Sequence, residues 1–64
     1  MLAENIRKYR KESNLSQEQL AQKAGITYST LAKLESGHNQ NPTVKTLQQI
    51  AMALDVTLDD LMKE

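Results

Sequence analysis

The chain has 64 residues, no cysteine, one histidine, and eight Lys or Arg balanced by eight Asp or Glu. A chain this short buries only ~60% of its unfolded surface. With no thiol, disulfide and thiolate-metal staples are excluded, so stability must come from well-capped helices around an aliphatic core. The N-terminal MLAENIRKYRK is charged where a secretory leader is apolar. The longest apolar run, IAMAL, is far short of the ~20 residues that span a bilayer. One soluble, cytoplasmic domain over residues 1–64 is expected.

Apolar residues follow helical spacing throughout, and no run alternates with period two. Leu2, Ile6 and Tyr9 fall at i, i+4 and i+7 and predict a helix over about 2–13, followed by Asn14, which tolerates the left-handed conformation. Four further starts share one device: a hydroxyl N-cap preceded by an apolar residue that staples to another five positions later. Leu15-Ser16 pairs with Leu20, Ile26-Thr27 with Leu31, Pro42-Thr43 with Leu47, and Val56-Thr57 with Leu61. Ser16 with Gln19 forms a capping box, and Thr57 with Asp60 a near relative of one. The helices so predicted are 17–24, 28–36, 44–54 and 58–62, the first two of these ended by Gly25 and Gly37 and the next by Asp55. HNQNP, residues 38–42, is a polar loop. The fold class is all-α, with a core of Leu2, Ile6, Leu15, Leu20, Ala24, Ile26, Leu31, Leu34, Leu47, Ile50, Ala51, Leu54 and Leu61.

Helices 17–24 and 28–36 are joined by Gly25, Ile26 and Thr27 alone. A turn that short forces a steep crossing, which needs a small residue at the contact; Ala21 is placed for it. Leu20, Ile26, Leu31 and Leu34 face the body, while Tyr28, Ser29, Ala32 and Lys33 are left toward water. The chemistry on that outer face suits base edges: Lys33 can donate to guanine O6 or N7, Ser29 can donate or accept, and Tyr28 offers a hydroxyl and an apolar ring. Thr27 and Ser29 are alternatively suited to phosphate. Taken without further context, the same face reads equally well as a solvated helix surface.

Leu20, Ala21, Gly25, Ile26, Leu31 and Leu34, with the segments SQEQLA, LESG, PTVKTLQQIAMAL and VTLDDLM, resemble the phage repressor and Cro-like (XRE-type) family of helix-turn-helix DNA-binding domains. The resemblance covers essentially the whole chain and sets the helix-turn-helix at about 16–37. It implies a five-helix, lambda-repressor-like bundle whose third helix lies in the DNA major groove, with Tyr28, Ser29 and Lys33 at the bases. It further implies that Gln17 contacts a backbone phosphate and braces the reading helix, and that an Arg10–Glu35 ion pair ties the first helix to the third with Arg10 near the DNA backbone. Thr27, Ser36, Asn39 and Gln40 complete the expected phosphate set, and Ala21, Gly25, Leu31 and Glu35 the structural one. Pairing of two copies is implied near Asn41–Val44 and Leu58–Met62, with Val44, Leu58 and Met62 as contacts. One departure stands out: where similar domains often carry Lys or Arg after Gly37, this chain has His38, Asn39, Gln40 and Asn41.

Charge is segregated although its sum is zero: residues 1–54 carry seven Lys or Arg against four Asp or Glu, and residues 55–64 carry four acids against Lys63. Taken alone, this is ordinary helix surface. No metal-ligand cluster, catalytic constellation or phosphate-cradling glycine pattern occurs, so neither an enzyme nor a cofactor is expected. The reading is a sequence-specific, double-stranded DNA-binding regulator, a repressor acting as a homodimer, at least on DNA, with regulation by abundance, proteolysis or a protein partner. The alternative is a protein-interaction module of the same fold, an antitoxin or adaptor, to which exposed Met52, Leu58 and Met62 and the zero net charge lend support.

Overall fold

The computed structural model describes residues 1–39 and 41–64; Gln40, expected at a phosphate, lies outside them. The described elements are all helical: α1 (Leu2–Glu12), α2 (Gln17–Ala24), α3 (Tyr28–Ser36), α4 (Val44–Leu54) and α5 (Leu58–Met62). Among the described residues no helix is long and apolar enough to cross a membrane. The helix bounds match those expected from the sequence, except that α1 stops one residue early. Ser13 acts as its C-cap, its N–H reaching Tyr9 O and Arg10 O, and the chain then turns at Asn14 with φ 58°.

Three of the connections contain the same triplet: Asn14-Leu15-Ser16, Gly25-Ile26-Thr27 and Asp55-Val56-Thr57. The first residue is left-handed, with φ of 58°, 73° and 58° respectively. Its N–H and that of the next residue close back on the preceding helix: Leu15 N to Arg10 O, Ile26 N to Ala21 O and Val56 N to Ala51 O, at 3.2, 3.0 and 3.0 Å. This is the Schellman ending. The third residue is the N-cap of the next helix, its hydroxyl accepting from Gln19, Thr30 and Asp60 N–H. The middle residue is apolar and packs on the core, so one side chain serves both the end of one helix and the start of the next. Both capping boxes are complete, including that of Thr57 with Asp60.

Helix α2 packs on α3 and α4, α1 on α3 and α5, and α4 on α5. Their shared core contains Ile6, Leu20, Ala21, Ala24, Leu31, Leu34, Leu47, Ile50, Ala51, Ala53, Leu54 and Leu61. Leu2, Leu15 and Ile26, expected in the core, are half-buried at its rim. Ala53, absent from the expected set, is buried because α4 is covered on a broader arc than its Leu and Ile stripe marks. Leu58 corrects the expectation of an exposed residue: three positions before the fully buried Leu61, it shares that face and packs on the core. Asn5 on α1 anchors α5, its Nδ2 donating to Leu61 O at 2.8 Å and to Lys63 O. Carbonyls that a helix C-terminus leaves unpaired are thereby satisfied.

Candidate nucleic-acid interface

The inner side of α3 is built first. Leu31 and Leu34 are buried, and the carboxylate of Glu35 is taken inside with them, at 3% exposure. A buried carboxylate requires full hydrogen bonding, and α1 and α2 provide it. Arg10 donates from Nε to Glu35 Oε2 at 2.7 Å and from Nη2 to Oε1 at 3.0 Å, while its Nη1 donates to Leu15 O at 2.8 Å. Gln17, at the start of α2, donates from Nε2 to Glu35 Oε1 at 3.1 Å, and Arg7 Nη1 donates to the Glu35 carbonyl. Gln17 Oε1 in turn accepts from the Tyr28 hydroxyl at 3.2 Å. No buried side-chain polar atom among the described residues lacks a partner.

The result is a chain of contacts, Arg10–Glu35–Gln17–Tyr28, that grips α3 at its first residue and at its last but one. Sequence reasoning supplied the Arg10–Glu35 pair and a bracing role for Gln17, but neither Arg7 nor the partners, Glu35 and Tyr28, through which Gln17 braces α3. Arg7 and Arg10 lie at i and i+3 and so share one face of α1, an unused signal from which Arg7 could have been found. For the residues expected at phosphates this geometry is specific. Arg10 has its guanidinium in the ion pair with only 13% of the side chain exposed. Gln17 has its amide between Glu35 and Tyr28. The Thr27 hydroxyl caps α3, accepting from Thr30 N–H and donating to Thr30 Oγ1 at 2.8 Å. Asn39 is half-buried, its Oδ1 accepting from Asn41 N–H.

The outer side of α3 is different. Tyr28 is 52% exposed, its ring open and its hydroxyl tethered. Ser29, Lys33 and Ser36 are all exposed and fall at i, i+4 and i+7, one stripe along the helix. The side chains of Ser29 and Lys33 make no hydrogen bond to another described residue, which leaves a hydroxyl and an ammonium free to meet a ligand. Tyr28, Ser29 and Lys33 therefore do share the outer side of α3, whereas Ala32 between them is half-buried. Glycine is required at Gly25 by its φ of +73° and not by space, since an added Cβ would meet Gln49 Nε2 at an ordinary 3.5 Å. Val44, Met52 and Met62 are exposed apolar residues, Met52 at 81%.

A helix-turn-helix family model matches residues 6–61. The chain is 36% identical over 64 residues to the HTH-type transcriptional regulator SinR of Bacillus licheniformis, covering 100% of this chain and 58% of that protein. It is 40% identical over 62 residues to the control protein C.SmaI of Serratia marcescens, covering 97% and 73% respectively. It also matches the crystal structure of SinR, described there as the master regulator for biofilm formation, in complex with DNA. That match has a TM-score of 0.95 at 35% identity, over 98% of this chain and 100% of that one. The chain spans about 58% of the length of the SinR relatives it matches.

Proposed function

Because the chain belongs to the phage repressor and Cro-like helix-turn-helix family, we propose that its 64 residues form one unit for sequence-specific binding of double-stranded DNA in a cytoplasmic transcriptional regulator, a repressor. Helix α3 enters the major groove, Tyr28, Ser29 and Lys33 meet base edges, and backbone phosphates are held from the start of α2 and the end of α3. The carrying observation is the pairing of a clamped inner side of α3, through Arg10, Glu35 and Gln17, with an outer stripe whose donors are free. A helix held at both ends presents its donors at fixed spacing, which base readout needs.

One recognition helix touches few base pairs, so two copies on a palindrome, with reading helices about 34–36 Å apart, give the needed specificity. Exposed Val44 and Met62 favour that pairing; Leu58 supports it from beneath, being half-buried. Selection from a random duplex library, followed by sedimentation on the winning sequence, tests the proposal. A palindromic consensus bound by two chains is expected; no enrichment over the starting library overturns it. The reading as a protein-interaction module draws on Met52, exposed at 81% beside Lys23 and Gln49, and is the outcome if no duplex is bound at low salt.

A further inference from the structure

Tyr28 opens α3 and is the one aromatic side chain of that helix. The geometry points to its ring, and not its hydroxyl, as the part that reads DNA: Tyr28 recognises the C5 methyl group of a pyrimidine, thymine or 5-methylcytosine, in the major groove. This rests on the DNA-binding reading of α3 given above and names the base chemistry that one of its residues takes.

The role of the hydroxyl follows outward from the buried carboxylate. Both Glu35 oxygens are paired with Arg10, Oε2 with Nε at 2.7 Å and Oε1 with Nη2 at 3.0 Å. A carboxylate so paired only accepts, so the end of the Gln17 amide that lies 3.1 Å from Glu35 Oε1 is the amino end, Nε2. The other end, Oε1, therefore faces Tyr28 Oη, at 3.2 Å. An amide oxygen carries no hydrogen, so the phenol donates, and it has a single hydrogen to give. Tyr28 keeps no donor for a base edge. The same bond holds the Oη end of the side chain at the first residue of α2.

The ring is what remains. Tyr28 is 52% exposed although its hydroxyl is tied. The residues at i+3 and i+4, which share its side of the helix, are Leu31, buried, and Ala32, half-buried. Neither has a polar side-chain atom, so the surface around the ring is apolar, and the polar stripe of Ser29, Lys33 and Ser36 runs beside it. Guanine presents only acceptors in the major groove, and thymine an acceptor and a methyl group. A tyrosine with its hydrogen already given has nothing for the acceptors, whereas its ring packs on the methyl. Methylation of cytosine at C5 places the same group at the same point of the groove.

Site selection from a random duplex library with the parent and with Tyr28→Ala locates the base pair at which preference relaxes when the ring is removed. In the parent that pair should carry thymine. Deoxyuridine in its place removes the methyl group alone, and parent affinity should fall about fourfold, the scale of one buried methyl. At the same pair, 5-methylcytosine should bind about fourfold tighter than cytosine, because the ring reads the methyl and not the exocyclic group. Tyr28→Phe should keep both differences and Tyr28→Ala should lose both, with melting temperatures near that of the parent. A parent indifferent to the methyl at that pair would overturn the inference, as would a Tyr28→Phe variant that loses base preference there, which would assign the reading to the hydroxyl. A selected consensus that Tyr28→Ala leaves unchanged would remove the role of Tyr28 while leaving the DNA-binding reading intact. No enrichment of any sequence by the parent would remove both.

Discussion

The two sides of α3 use the same nine residues for opposite purposes. Inward, Leu31, Leu34 and Glu35 have every contact determined: two leucines in a close-packed core, and a carboxylate held by Arg10 and Gln17. Outward, Ser29, Lys33 and Ser36 are exposed, and the first two have no side-chain partner among the described residues. The contrast separates positioning from recognition. A buried ion pair adds little net stability, because desolvation offsets the attraction, but removing one partner is costly. Glu35 therefore fixes where α3 sits more than how stable the domain is, and the outer stripe is left free to vary its chemistry.

The comparison breaks most completely at Glu35. Glu35→Ala leaves the Arg10 guanidinium at 13% exposure without its carboxylate, a change that typically costs ~3–5 kcal/mol. That is as large as the whole stability expected of a core this size, ~3–5 kcal/mol. Circular dichroism should show a largely unfolded chain at room temperature. The double variant Glu35→Leu with Arg10→Met removes both charges and should recover much of the lost stability. A single variant that melts like the parent would mean the ion pair does not hold α3.

A smaller break comes from beneath. Ala21 is 3% exposed on the inner side of α2, where Leu has no room. Ala21→Leu should cost ~1–3 kcal/mol by overpacking, read as a lower melting temperature. An unchanged melt would place the contact between α2 and its neighbours elsewhere.

These two sites also mark what was legible in the chain. Helix ends were readable almost to the residue, because capping is local chemistry: Ser16, Thr27, Thr43 and Thr57 each bond the N–H three residues on. The burial of Ala21 was legible from the three-residue turn, which forces a steep crossing with a small residue at the contact, and the pairing of Arg10 with Glu35 through the family pattern. The partners through which Gln17 braces α3 were not, since they are side chains from two other places in the sequence, Glu35 and Tyr28, meeting at one amide. Nor was the position of Leu58, whose partner Leu61 lies on a helix of five residues, too short to show a periodic face. Local bonds are written in adjacent residues; contacts across three helices become definite once packing sets the distances.

On the outer side, stability and reading should separate. Lys33→Ala removes a free ammonium from an exposed position, so the melting temperature should stay within error. Affinity should fall by ~1–3 kcal/mol with relaxed preference at one base position. Gln17→Ala should behave as an inner-side change despite its place at the start of α2: it loosens both Glu35 and Tyr28, weakening all sequences alike and lowering the melting temperature. Profiling both variants over a library of sites decides between them. Uniform loss for Lys33→Ala would remove its base-reading role.

The smallest effect lies away from α3 and serves to calibrate the others. Asp60 accepts from Thr57 N–H at 3.0 Å and is held below the usual carboxylate range, first by that backbone bond and then by the Thr57 side chain, with Lys63 adding to it. A carboxyl group whose folded pKa is depressed stabilises the fold above its unfolded value, near 3.8, and loses that contribution as pH falls through the folded one. Asp60→Asn keeps an acceptor for Thr57 and removes the charge. It should therefore melt slightly below the parent at neutral pH, and the gap should close as the pH drops below 3.8. Because α5 packs chiefly on α1 and α4, base preference should be unaltered at any pH where the variant is folded. A gap that persists in acid would assign the loss to the altered side-chain geometry instead of the charge. A changed base preference would mean that weakening the fold anywhere disturbs the reading helix, and the separation between the two sides of α3 would then be false.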